Sequence, residues 1–183
     1  DDAELESAMR FLSRQGAEPA LPPPSTEMLA ATNSSAARVV DAKDGSTFRT
    51  AGTESLPSEN FTIEAVIQLN SLYPDANVRT IVSQWNGDTV HRGWNFGVTS
   101  TKSGYKPRNL ILQLIGGDPP TAGTDKPTYE VIASNLRPEL NRPYYVAVSV
   151  DVDDVTDAGV TFFLKDLYEE DSPVQTANVP HKV

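Results

Sequence analysis

One segment constrains the fold more than any other. In NFTIEAVIQLN, residues 60–70, Phe61, Ile63, Ala65, Ile67 and Leu69 alternate with Thr62, Glu64, Gln68 and Asn70, and only Val66 breaks the pattern. An apolar residue at every second position lines one face of an extended strand and leaves the polar residues on the other. The same period of two aligns Leu110, Leu112 and Leu114 in RNLILQLIGG, and Tyr144, Val146, Val148, Val150 and Val152 in PYYVAVSVDV. GVTFFLKDL, TYEVIAS and RTIVSQW are further candidates, rich in residues that suit a pleated surface. Turn-forming clusters separate these runs: SLYPDAN, NGDTVHRG, TSTKSGYKPRN, GGDPPTAGTDKP and NLRPELNRP. Short strands with polar connections predict an all-β antiparallel domain, and one apolar face per strand predicts two sheets packed face to face.

The stretch SQWNGDTVHRGWNFGV, residues 83–98, holds both tryptophans. Trp94, Phe96 and Val98 share a strand face, which places Trp94 in the core. Trp85 is in phase with Ile81 and Ser83, and two placements stay open for it: the edge of the core, or the mouth of the loop.

Upstream, the period is 3.6 rather than 2. Leu5, Ala8, Met9 and Leu12 form one apolar stripe in DDAELESAMRFLSRQG, which predicts a short helix over residues 1–16. We read it as the tail of a preceding domain. Residues 17–35 contain Pro19, Pro22, Pro23 and Pro24 and form a semi-rigid linker. The β domain occupies residues 36–183.

Charge narrows the partners. The 183 residues carry 25 acidic and 15 basic side chains, a net charge of -10. Phosphate contacts need lysine and arginine, so this balance argues against a nucleic-acid partner and leaves neutral ligands and divalent cations. There is no cysteine, hence no disulfide, thiolate metal site or cysteine nucleophile. No apolar run reaches the roughly 20 residues of a membrane helix, so membrane insertion is not expected.

Catalytic patterns are not found. Glycoside hydrolysis needs two carboxylates about 5–10 Å apart, yet Glu64 and Glu130 each stand alone on their strands. Glu169, Glu170 and Asp171 read as a solvated turn. His91 and His181 fall in loop or tail positions, with no nucleophile motif beside them. The expectation is a protein that is not an enzyme. Two binding candidates remain. Trp85, Asn86, Asp88, His91, Arg92 and Tyr105 offer the aromatic faces and planar polar groups that sugars require; ordinary solvated turns are the plainer reading. Asp151, Asp153, Asp154 and Asp157 in DVDDVTDAG offer oxygens to Ca²⁺. That run departs from the EF-hand loop at Thr156 and Phe162, and a polar hairpin is its plainer reading.

The runs FTIEAVIQL, RTIVSQWNGD, GWNFGVT, NLILQLIG, PYYVAVSVDV and GVTFFLKDL, in this order, resemble the concanavalin A-like lectin/glucanase superfamily, and within it the laminin-G-like jelly-roll modules. Similar modules stand at the C-terminal end of large planctomycete proteins with predicted cytochrome c domains. The resemblance spans residues 36–183 and is carried by strand pattern alone. It implies a two-sheet jelly roll and an extracytoplasmic setting, whether periplasmic, envelope-bound or secreted. It also implies a non-catalytic module that binds a glycan or protein, with Ca²⁺ at the loop rim. A spacer docking on its own upstream domain and a divergent glycoside hydrolase are the alternatives. Two departures stand out: Val66 replaces a large aromatic, and no Gly-x-Ile-Asp-Glu-Val-like segment follows, so closing strands are expected to be missing after TANVPHKV.

Overall fold

The seven runs become strands, and an eighth strand at QTANV, which the alternation does not show, joins them in two antiparallel four-stranded sheets. The computed structural model describes residues 60–72, 74, 76–85, 87, 92–116, 128–169 and 171–183. The helix over 1–16, the linker over 17–35 and the first part of the β domain lie outside the described residues, among which there is no helix. In chain order the strands are β1 (Phe61–Gln68), β2 (Val78–Ser83), β3 (Gly93–Thr99), β4 (Leu110–Gly116), β5 (Thr128–Ala133), β6 (Pro143–Val150), β7 (Val160–Asp166) and β8 (Gln175–Val179). One sheet runs β1-β6-β7-β8 and the other β2-β3-β4-β5.

The alternation decides which faces meet. Phe61 and Ile63 of β1, Val146, Val148 and Val150 of β6, and Val160, Phe162 and Leu164 of β7 join one buried cluster with Trp94, Phe96 and Val98 of β3 and Leu110, Leu112 and Leu114 of β4. The cluster draws on both sheets, so they pack face to face as a β-sandwich. Two aromatic pairs bridge the layers. Phe61 stacks on Trp94 with ring centroids 5.6 Å apart, and Phe96 meets Phe162 at 6.5 Å. Trp94 is therefore a core residue, as strand phase predicts.

Two local features depart from expectation. In β2, Thr80 pairs with Gly97 and Val82 with Phe96, so one extra residue, Ile81, is bulged out of register. Ile81 packs on the core, whereas Ser83 is opposite Asn95 on the outer face. A bulge inserts one residue and reverses the phase beyond it. Trp85 is thereby out of phase with Ile81.

The second departure is the end of the chain. β8 pairs with β7 from Val160↔Val179 to Leu164↔Gln175, so QTANV, which shows no strand pattern in the sequence, covers the β7 edge. Residues 180–183 then reach the other sheet: the Lys182 N–H donates to Glu130 Oε2 on β5 (2.6 Å), and Val183 packs against the core. His181 is the anchor. It is 2% exposed, with ring nitrogens 2.8 Å from the Asp151 carbonyl oxygen and 2.9 Å from a Val183 main-chain oxygen. His181 thus follows the last strand, as its tail position in the sequence suggests, but it is buried rather than solvated.

His181 needs a glycine opposite it. A Cβ on Gly159 would overlap the Asp154 carbonyl oxygen and lie 2.8 Å from His181 Cδ2. Gly159→Ala is therefore expected to lower unfolding free energy by about 2 kcal/mol or more through overpacking. His181→Ala, which removes the buried imidazole and its hydrogen bonding to the chain end and the β6–β7 turn, should cost about 1–3 kcal/mol. Urea titration of both variants checks the pair; a change within 0.5 kcal/mol at Gly159 (about the size of a neutral surface substitution) contradicts the packing argument.

Candidate functional site

The outer faces of the two sheets differ. On β1, Thr62 and Glu64 are exposed, and on β8 Thr176 and Asn178 are exposed, as expected of a solvated face. On β4 the outward-phase residues are Ile111, Gln113 and Ile115, at 0%, 8% and 3% exposure. The sequence carries a sign of this, because LILQLIG is apolar in both phases. A strand apolar on both faces is covered on both faces.

Three side chains form a polar ladder across this outer face. Asn95 on β3 is opposite Gln113 on β4 and donates to its Oε1 at 2.6 Å. Gln113 Nε2 donates to the Tyr129 hydroxyl on β5, also at 2.6 Å. Each bond polarises the next. Tyr129 accepts in this ladder, and its own O–H is a second donor that the ladder does not use.

The β3–β4 connection folds back over this face and is braced in place. The Ser100 N–H donates to the Asn77 carbonyl (2.8 Å), and Lys102 N–H to that of Ala76 (3.4 Å). The Thr99 hydroxyl donates to the Lys106 carbonyl at 2.6 Å and accepts from Asn109 N–H at 2.9 Å. Arg108 has φ 68°, a left-handed conformation that is uncommon and costly outside glycine and asparagine. Its N–H bonds the Thr99 carbonyl at 2.8 Å, and its guanidinium reaches the Pro138 carbonyl at 3.3 Å.

Between this loop and the sheet lies a groove of about 340 Å³, partly open to solvent. Ile111, Gln113 and Val131 are its floor, and Tyr105 and Tyr129 supply aromatic surface. Asn77, Lys102 and Ser103 add polar groups. Tyr105 and Tyr129 are 44% and 41% exposed, which leaves part of each ring open to a ligand.

The six residues singled out for ligand contact are divided by the structure. Tyr105 lines the groove. Trp85 is half-buried, with its ring centroid 5.9 Å from that of Tyr129, so it belongs to the same outer face. Arg92 is exposed just before β3. Asn86, Asp88 and His91 lie outside the described residues. Gln113, Tyr129, Asn77, Lys102 and Ser103 were not singled out, since contacts between strands distant in sequence bring them together.

The acidic loop has a structural role. Asp151 Oδ1 accepts from Asp153 N–H at 3.1 Å, and Asp154 Oδ1 from Thr156 N–H at 2.8 Å. These bonds fix the β6–β7 turn, while Asp153 and Asp157 are exposed. Hydrogen bonds from Thr156 hold the Asp154 carboxyl below the ordinary carboxylate range. A lowered folded-state value favours folding above the ordinary range, and the contribution is lost as pH falls through the folded value. Among the described residues, no three His, Cys, Asp or Glu side chains are grouped to hold a metal ion. The strand carboxylates belong to different sheets and have different partners: Glu64 Oε1 accepts from Tyr145 O–H at 2.7 Å on one, and Glu130 accepts from the Lys182 N–H on the other. Arg142, which joins Asp166 at 2.8 Å and Glu169 at 3.0 Å, has its pKa raised chiefly by the bond to Glu169 and ties the β6 entry to the end of β7.

In comparisons with known proteins, no family model, curated protein or solved structure matches the chain. The site thus rests on its own geometry. Gln113→Leu removes the middle of the ladder and strands the Asn95 amide, which is 3% exposed. An unpaired buried donor costs about 1–3 kcal/mol. Chemical denaturation should show a loss of that size, and the Asn95→Ala/Gln113→Leu double variant should lose less than the sum of the singles.

Proposed function

We propose that the chain is a non-catalytic recognition module that holds an extended carbohydrate in the groove on the outer face of the β2–β5 sheet. The observation that carries this reading is the groove itself: two half-exposed tyrosine faces, with the amides of Gln113 and Asn77 and the hydroxyl of Ser103 beside them. Sugars present both C–H faces and hydroxyls, so a site for them needs aromatic surface and fixed hydrogen-bonding groups together. A groove partly open to solvent suits a polymer lying across the sheet better than an engulfed small molecule. The braced loop supports the reading too, because a pre-ordered wall loses little entropy on binding.

The finer fold assignment is proposed on the same footing: a concanavalin A-like jelly roll of laminin-G type, with the strand order described above, in an extracytoplasmic protein. The groove is preferred to the acidic loop as the ligand site, because Asp151 and Asp154 each give one carboxylate oxygen to the turn and no three metal-ligating side chains are grouped among the described residues.

Binding to a glycan array, followed by calorimetry on the sugars retained, tests the proposal. Tyr105→Ala should weaken the retained sugars roughly tenfold, as loss of a stacking partner at a binding site does, with unchanged circular dichroism. An array on which the chain binds no sugar, or binding indifferent to Tyr105→Ala, overturns it.

A further inference from the structure

Charge is unevenly distributed around the groove. Acidic residues outnumber basic ones 25 to 15 in the chain, yet among the described residues that line the groove none is Asp or Glu, and Lys102 is the one charged side chain. The whole segment from Thr99 to Asn109 carries Lys102, Lys106 and Arg108 and no acid. Strand phase also keeps a carboxylate out. Glu130 lies between the lining residues Tyr129 and Val131, and it is turned to the opposite face, where the Lys182 N–H holds it. A neutral sugar would need no such exclusion.

We infer that the groove selects a uronate-bearing polysaccharide, in which a sugar carboxylate meets Lys102 and the sugar rings lie against the tyrosine faces. The inference rests on the reading of the groove as a carbohydrate site. A polyphosphate presents charge without the C–H ring faces that the tyrosines would meet. A uronate carries one charge per sugar beside a ring with C–H faces and hydroxyls, which is the mixture the groove offers. The net charge of -10 repels a polyanion at long range. Screening confines that repulsion to about 8 Å at physiological ionic strength, so the contact with Lys102 outweighs it only once the ligand is seated. Affinity for each sugar is therefore modest and salt-sensitive, and chain length strengthens it.

Calorimetry of the full chain with three oligosaccharides of matched length tests this: an oligogalacturonate, a neutral cello-oligosaccharide and a sulfated cello-oligosaccharide. The oligogalacturonate should bind at least about tenfold more tightly than the neutral sugar, reflecting one charge-assisted contact, and should weaken as NaCl rises. Lys102→Gln should abolish the preference, while Lys165→Gln, on the outer face of the other sheet, should leave it intact. Tyr105→Ala should weaken both sugars. Equal binding of neutral and acidic sugars, unaffected by Lys102→Gln, overturns the inference and leaves the carbohydrate reading standing. Loss of preference in Lys165→Gln also overturns it, because the effect is then one of bulk charge. Preference for the sulfated sugar over the uronate overturns the carboxylate assignment. Binding of none of the three oligosaccharides overturns this inference, and the carbohydrate reading is then decided by the wider array.

Discussion

The contact between the inner faces of the two sheets is the constraint on which the rest depends. Phe61 against Trp94 and Phe96 against Phe162 tie β1 and β7 to β3, a strand of the opposite layer. Each fully buried side chain of this kind contributes about 1.5–3 kcal/mol, and net domain stability is only about 5–15 kcal/mol. A register slip of one residue would turn the whole set outward. The inner faces therefore fix the phase of every strand, and so the residues that appear on the outer faces.

Much of this was legible in sequence. Alternation identified the strand cores and placed Trp94 inward, because a half-buried strand writes its burial directly into a period of two. Trp85 could not be placed in that way. A single bulged residue, Ile81, shifts the phase, and nothing in RTIVSQW marks where the bulge falls. β8 was missed because QTANV has a polar and small-residue composition. Its place as an edge strand comes from pairing with β7, not from an apolar face of its own.

The candidate site was legible only in part, for the same physical reason. Tyr105 stands in a loop whose polar composition advertises a surface position. Gln113 and Tyr129 are adjacent only because β4 and β5 pair with Gln113 opposite Val131 and Ile115 opposite Tyr129. Such pairing is invisible along a single strand. The clue available was the second apolar phase of LILQLIG, since Ile111 and Ile115 have no reason to face open solvent.

Rigidity links the ladder to the groove. The Gln113 side chain is held from both sides, at 2.6 Å by Asn95 and at 2.6 Å by Tyr129, so the amide at the floor has one orientation. The loop above it is held by Asn77 and Ala76 on the β2 side and by Thr99 within itself. The left-handed Arg108 costs of order 1–3 kcal/mol where such a conformation persists. Its N–H bond to Thr99 and its guanidinium bond to Pro138 help to hold it there. Floor and wall are thus fixed by different bonds, one set running across β3–β5 and the other between loop backbones. A ligand entering between them meets groups already ordered, and its binding energy is spent on contact rather than on arranging the site.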